Sequence, residues 1–323
     1  MLPRVHVVAT GGTIASTPGE NGAAPSISGE DLLNSVPALE AKADLSVESV
    51  SQVPGFDVDF EVMADVGEAA REAVEDGADA IVVTHGTDTL AETAYFLDLT
   101  LSVPIPVVVT GAQRRLDESS SDAPANLLAA VRAATHPRVS EGVFVAFDDE
   151  LHAARDVRKV HTHKLAAFDS PNDGPVATLM RDEISFHREP DSESVYLPAA
   201  STDADVAVVL SGAGVSGAQF ERAVESGADG LVVAGTGLGN VTSDLGEAIS
   251  DAVEAGVPVV VTSRCHAGRT GAVYGTPGGG QTLRVAGAIS GGDLPSWKAR
   301  VKLALALRAA DDPDDVESFF DSS

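Results

Sequence analysis

Short, nearly continuous apolar runs alternate along the chain with longer amphipathic stretches. Residues 5–9, 80–84, 106–110 and 142–147 are Val-rich and bounded by turn residues, whereas residues 60–75, 89–99 and 122–135 space their apolar positions as helices do. Strands apolar on both faces and separated by helices predict a parallel sheet covered on both sides. The rhythm fails after Arg181, where charged and polar residues with Pro190 and Pro198 predict a linker over residues 181–204. It resumes with strands at 206–210, 230–234 and 258–262 and closes with a helix at 295–310. The expectation is an α/β protein with a larger N-terminal parallel-sheet domain over residues 1–180 and a smaller α/β C-terminal domain over residues 205–323.

Composition narrows the picture. A chain of 323 residues that is 44% hydrophobic can fill two cores. No stretch reaches the roughly 20 apolar residues that cross a bilayer, and Met1-Leu2-Pro3-Arg4 enters a strand without a basic, apolar leader, so a cytoplasmic location is expected. Cys265 is the only cysteine, which excludes an internal disulfide and a cysteine-built zinc site. The 49 acidic against 21 basic residues give a net charge of −28, which repels phosphate backbones and anionic lipid; neither a nucleic-acid nor a membrane partner is expected. The acids are scattered, and the lysines are few (Lys42, Lys159, Lys164, Lys298 and Lys302). This favours adaptation to concentrated salt over a single cationic partner.

In parallel sheets, ligands bind beyond the carboxyl ends of the strands. Here those positions read alike: Thr10-Gly11-Gly12-Thr13, Thr84-His85-Gly86-Thr87-Asp88-Thr89 and Thr110-Gly111-Ala112-Gln113. Each motif alone also reads as a helix cap or a turn. Three at one edge, one of them carrying Asp88, point to a site that gathers hydroxyls and bare backbone N–H groups around one small molecule. A threonine hydroxyl becomes a nucleophile when a base removes its proton, and Lys159, on the segment after strand 142–147, can reach the same edge with Asp88 to hold it. A lysine acts as base only when neutral; burial favours that form and a neighbouring carboxylate opposes it, and both readings stay open.

Ala9-Thr10-Gly11-Gly12-Thr13-Ile14-Ala15 and Thr84-His85-Gly86-Thr87-Asp88-Thr89 with Glu92-Thr93-Ala94 resemble the two signature segments of the bacterial-type L-asparaginases. The similarity continues through Ala125-Asn126-Leu127, Arg155-Asp156-Val157, Phe168-Asp169-Ser170-Pro171-Asn172, residues 235–240 and Ser263-Arg264, covering nearly the whole chain. The resemblance implies a flavodoxin-like N-terminal domain and an amidohydrolase that converts asparagine to aspartate and ammonia without cofactor or metal. It implies Thr13 as the nucleophile that forms an acyl-enzyme, and Thr87, Asp88 and Lys159 as a second catalytic group. Thr87 and Asp88 would also bind substrate, Asp88 through the α-amino group, and Ala112 would offer a backbone contact near the reacting carboxamide. It further implies a homodimer or homotetramer in which a neighbour's Asn240 completes the site. A glutaminase-asparaginase of broader specificity, the amidase subunit of a tRNA-dependent amidotransferase and a non-enzymatic amino-acid sensor are the alternatives; retention of nucleophile and base together argues against the sensor.

Two departures from the family pattern matter. Residues 16–28 lack the tyrosine expected near the nucleophile, and Tyr274, in a region expected to face a neighbour's site, is the candidate to supply a phenol across the dimer. Gly55-Phe56 stand where a serine and a glutamine would hold the substrate carboxylate. Two further patterns are read as decoys: Gly212-Ala213-Gly214-Val215-Ser216-Gly217 lacks an acid at the end of the following strand, and His152, His161 and His163 have no more than HxH spacing. No nucleotide and no metal are expected.

Overall fold

The computed structural model describes residues 2–19, 22–191, 195–198 and 203–320. The chain divides into two compact units, Met1–Tyr196 and Leu197–Ser323.

In the first unit the strands are β1 (Arg4–Gly11), β2 (Ser16–Thr17), β3 (Ala24–Pro25), β4 (Asp44–Val53), β5 (Ala80–Thr84), β6 (Val107–Thr110), β7 (Val143–Phe147), β8 (Glu150–Ala153), β9 (Arg158–Lys159), β10 (Phe168–Asp169), β11 (Ala177–Leu179) and β12 (Ile184–Phe186). Its helices are α1 (Gly29–Asn34), α2 (Phe60–Glu75), α3 (Leu90–Thr100) and α4 (Ala123–Ala134). Eight strands form one sheet in the order β12-β11-β8-β7-β6-β5-β1-β4, parallel from β4 to β7 and antiparallel beyond. The α/β class with a parallel-dominated sheet is therefore as expected. The apolar runs β5, β6 and β7 are buried along their whole length because helices cover both faces.

Each helix form follows from its sequence. Asp59 caps α2 by accepting from the Val62 N–H at 3.0 Å, and the helix buries Met63, Val66, Ala70 and Ala73 along one stripe. By contrast α3 is buried on every face, through Leu90, Ala94, Tyr95, Leu97 and Leu99 among others. On the opposite face of the sheet, Val5, Val7, Val82 and Val108 share a core with Leu32, Leu127 and Val131. Edge strand β4, with burial alternating along its length, was not among the expected strands; its mixed sequence DLSVESVSQV carries the period-two pattern of a half-covered edge and not an apolar run. Within the segment read as a linker, Ile184–Phe186 pairs with β11.

The second unit contains β13 (Val206–Leu210), β14 (Gly230–Gly235), β15 (Val259–Ser263) and β16 (Ile289–Ser290), all parallel and in sequence order, with α5 (Ala218–Glu225), α6 (Ser243–Glu254) and α7 (Gly280–Val285) as crossovers and α8 (Ser296–Ala309) last. This is the smaller α/β unit the pattern predicts. Among the described residues no helix is long and apolar enough to cross a membrane.

The loops leaving three adjacent strands, β4, β1 and β5, meet backbone to backbone at glycines. A Cβ on Gly12 would lie 2.3 Å from the Gly86 Cα, and one on Gly86 would lie 2.5 Å from the Gly55 Cα. Gly12 also has φ +77°, a conformation side chains resist. Gly86→Ala should therefore lower the unfolding free energy by about 2 kcal/mol or more, since backbone must move. Gly67→Ala, inside α2 with no atom nearer than 3.7 Å, should raise it by about 0.5–1 kcal/mol. Denaturant unfolding of both variants checks the opposite signs.

Candidate active site

The contact glycines are each followed by chemistry. Thr13 opens a 3-10 turn (Thr13–Ala15) directly after Gly12, half-buried, and its hydroxyl makes no hydrogen bond with any described residue. The turn is held from below by the Ser16 hydroxyl, which donates to the Gly12 carbonyl at 2.7 Å. Thr87 and Asp88 follow Gly86, so the contact between the two glycines sets the Thr13 turn beside them. Lys159, on the β9–β10 hairpin, donates from Nζ to Thr87 Oγ1 and to Asp88 Oδ1, both at 2.8 Å. The lysine side chain is 19% exposed and the aspartate 54%. One lysine nitrogen thus ties a hydroxyl to a carboxylate that still faces solvent.

The floor of the site is polar, and both ring nitrogens of its histidine are partnered. His85 is fully buried; its Nδ1 lies 2.7 Å from the Gly86 carbonyl and its Nε2 2.9 Å from Thr93 Oγ1. A carbonyl only accepts, so Nδ1 carries the proton, and the neutral ring accepts the Thr93 hydroxyl at Nε2. Burial pushes the imidazole down to about 4, against a smaller opposing effect of the bond to the Gly86 carbonyl.

Ala112 is buried one residue beyond Gly111, where a Cβ would lie 2.4 Å from the His85 carbonyl and 3.5 Å from Thr87 Cγ2. The turn after it is clamped from α4. Asp122 accepts from the N–H groups of Gln113 (3.0 Å) and Arg114 (2.9 Å), and Asn126 donates to the Gly111 carbonyl at 3.0 Å while accepting from the Asp148 N–H at 3.1 Å. Neither Asp122 nor Asn126 carries a role in the sequence reading. Short-range pattern holds no signal for them, because an acid and an amide at the start of a helix read as ordinary capping residues.

The structure brings Thr87, Asp88 and Lys159 together and sets the Thr13 and Ala112 turns against the same glycine cluster. Asn240 and Tyr274 belong to the second unit. Asn240 Oδ1 accepts from the Gly280 N–H at 3.0 Å, and Tyr274 is 55% exposed. At the departure site, the Gly55 carbonyl accepts from Thr89 Oγ1 at 2.5 Å and Phe56 stands 70% exposed. The HxH decoy separates by environment: His152 is buried with Nδ1 at 2.9 Å from Ser170 Oγ, whereas the rings of His161 and His163 meet each other 4.8 Å apart. Among the described residues no three metal-ligating side chains are gathered. In the glycine-rich loop 212–217, the acid of the next strand, Asp229, lies at the start of β14, where its carboxylate accepts from the Asp205 N–H at 2.9 Å.

The class of protein is an α/β chain of two units, the first gathering hydroxyls, a carboxylate and a lysine nitrogen at the carboxyl edge of its parallel sheet. Residues 4–192 match the family model "Asparaginase, N-terminal" and residues 205–320 match "Glutaminase/Asparaginase C-terminal domain". The chain belongs to the asparaginase family. It is 35% identical to an L-asparaginase of Bacillus licheniformis over 95% of this chain and 96% of that one. It is 38% identical to a Glutamyl-tRNA(Gln) amidotransferase subunit of Halobacterium salinarum over 97% of this chain and 77% of that one. The crystal structure of a probable cytoplasmic L-asparaginase from Campylobacter jejuni superposes with a TM-score of 0.88 at 30% identity, covering 98% of this chain and 99% of the other.

The buried imidazole gives the fold a pH dependence. Its folded value of about 4 lies below the ordinary 6.5, so the unfolded chain binds the proton first as pH falls. The stability it contributes is complete above pH 6.5 and is lost on descent towards 4. Between pH 7 and pH 5 the unfolding free energy should fall by about 2 kcal/mol from this group alone. His85→Asn, which keeps a donor for the Gly86 carbonyl but cannot titrate, should remove that part of the slope. Denaturant titrations at the two pH values check it.

Proposed function

We propose that the chain is an L-asparaginase, hydrolysing L-asparagine to L-aspartate and ammonia through an acyl-threonine intermediate. The observation that carries the reading is Lys159 Nζ bonded at 2.8 Å to both Thr87 and Asp88, beside a Thr13 hydroxyl with no partner among the described residues. The Thr13 oxygen attacks the side-chain carboxamide carbon and gives up its proton. The oxyanion that forms is met by backbone N–H groups of the glycine turns and the Ala112 turn. The C–N bond then breaks, the leaving nitrogen takes up the proton given by Thr13 and departs as ammonia, and an aspartyl ester of Thr13 remains. Water deprotonated by the Thr87-Asp88-Lys159 group attacks the ester, releasing aspartate and restoring the hydroxyl. Asp88, with Oδ1 on Lys159 and half its surface open, holds the substrate's α-amino group.

In this reading the enzyme works as a homodimer or homotetramer, with the C-terminal unit of a neighbour contributing Asn240 and the exposed Tyr274 to the first unit's site. It acts in the cytoplasm, and its net charge of −28 fits it to concentrated salt. No cofactor or metal enters the reaction. The 38% identity to a tRNA-dependent amidotransferase component favours a second reading, an amidase subunit that releases ammonia for transfer to a charged tRNA.

Ammonia release from asparagine, glutamine and D-asparagine by the chain alone in molar salt separates these readings. Turnover of asparagine is expected; none by the isolated chain, with release restored only by partner subunits and charged tRNA, would favour the second reading. Thr13→Ala and Lys159→Met should each lower kcat/KM by at least about a thousandfold with folding intact. Tyr274→Phe should lower kcat while leaving the oligomer unchanged. Near-normal kinetics in any of the three removes that residue's proposed role.

A further inference from the structure

Lys159 reaches Thr87 and Asp88 from a hairpin that is not part of the eight-stranded sheet. Strands β9 and β10 form a sheet of their own, with Lys159 opposite Phe168 and Arg158 opposite Asp169. Two residues per arm fix little by themselves, so the placement of Lys159 rests on what ties this hairpin to the main sheet. Its entry is tied through the chain. Strand β8 ends at Ala153, whose carbonyl accepts from the Asp156 and Val157 N–H groups, both at 3.1 Å, and β9 begins at Arg158.

Side chains hold the exit. The Phe168 ring packs tilted against Phe147, at the end of β7, with centroids 4.7 Å apart. A ring contact resists separation but gives little direction. Direction comes two residues further on. Ser170, directly after β10 and buried, has its Oγ 2.9 Å from Nδ1 of His152, which is fully buried on β8. On the other side of the imidazole, Nε2 faces Glu150 Oε2 at 3.4 Å. A carboxylate only accepts, so Nε2 carries the proton and Nδ1 accepts the Ser170 hydroxyl. The contact with His152, ahead of the opposing effect of burial, holds the Glu150 carboxyl below its ordinary range. The order carboxylate, imidazole, hydroxyl is that of an activated nucleophile, but a serine only 2% exposed meets no substrate. What the line of contacts can do is mechanical: both arms of the hairpin return to β8.

We propose that Ser170 and His152, with Glu150 fixing the imidazole, are positioning residues that hold the β9–β10 hairpin so that Lys159 Nζ meets Thr87 and Asp88. The proposal rests on Lys159 serving in the Thr87-Asp88-Lys159 group, and it adds the device that keeps the lysine there.

The full-length protein is exposed to a trace of acetic anhydride, and acetylation of Lys159 is compared by mass spectrometry with that of Lys42, an exposed lysine elsewhere in the chain. Ser170→Ala should raise the Lys159-to-Lys42 ratio at least about threefold. It should also lower kcat for asparagine at least about tenfold while KM changes less than about threefold. His152→Phe should do the same, and the double variant should go no further than either single one, since all three lose one bond. An unchanged ratio in Ser170→Ala, or effects that multiply in the double variant, overturns the proposal. So does a fall in kcat without a rise in the ratio, or a rise in the ratio with kcat unchanged. Labelling needs no turnover: if the parent releases no ammonia from asparagine, the proposed function fails while the ratio still decides whether Ser170 and His152 hold Lys159.

Discussion

Everything at the candidate site depends on the approach of three glycines, Gly12, Gly55 and Gly86, at the ends of three neighbouring parallel strands. Parallel pairing of β1 with β4 and with β5 brings the three strand ends to one edge, but pairing alone leaves the loops free to diverge. Direct backbone contact removes that freedom: no side chain fits between Gly12 and Gly86 or between Gly86 and Gly55. The residues that follow, Thr13, Phe56 and Thr87, are thereby fixed relative to one another without any side-chain interaction between them. Gly111 extends the series to β6, meeting the His85 carbonyl in the same manner.

Polar side chains finish what the glycines start. His85 holds the Gly86 carbonyl, Asp122 holds two N–H groups beyond Ala112, and Asn126 joins the Gly111 carbonyl to the Asp148 N–H. Each is a buried group with at least one bond to backbone, so the loops are clamped by partners that themselves cannot move far. Lys159 differs: both of its bonds go to side chains, and one goes to an aspartate half exposed to solvent. Its position is the one part of the site that answers to charge as well as to packing.

The legible parts of this fold were those whose physics is local. Runs such as Ala80–Thr84 and Val143–Phe147 need nothing beyond their own apolar side chains to be recognised as buried strands, and the parallel-dominated sheet followed. Strand β4 was illegible because an edge strand covered on one side mixes serine and glutamate with valine. The antiparallel strands β11 and β12 were too short, at three residues each, to rise above the polar segments around them. At the site, Thr13, Thr87 and Asp88 stood out because they follow strands, and Lys159 was reached because the chain has few lysines. The clamps were not legible: Asp122 is nine residues from the N–H it fixes and Asn126 is twenty-two from the Asp148 N–H. Nor was the mutual contact of Gly12, Gly55 and Gly86, since a glycine after a strand has many uses.

The Thr13 hydroxyl raises the remaining question of which group takes its proton. Among the described residues its loop offers Ser16, already donating to the Gly12 carbonyl, and Thr17, paired at 2.6 Å with Ser26; neither is a base. Within the proposed reaction two sources remain, with different consequences. If the Thr87-Asp88-Lys159 group serves both half-reactions, one unit holds the whole acid–base apparatus and Asp88 must bind substrate while pairing with the base. If a phenol from the neighbour's Tyr274 serves the first half-reaction, the two tasks separate, but acylation then requires an assembled oligomer while deacylation does not. An assembled partner is therefore a chemical requirement in the second case and only a structural one in the first.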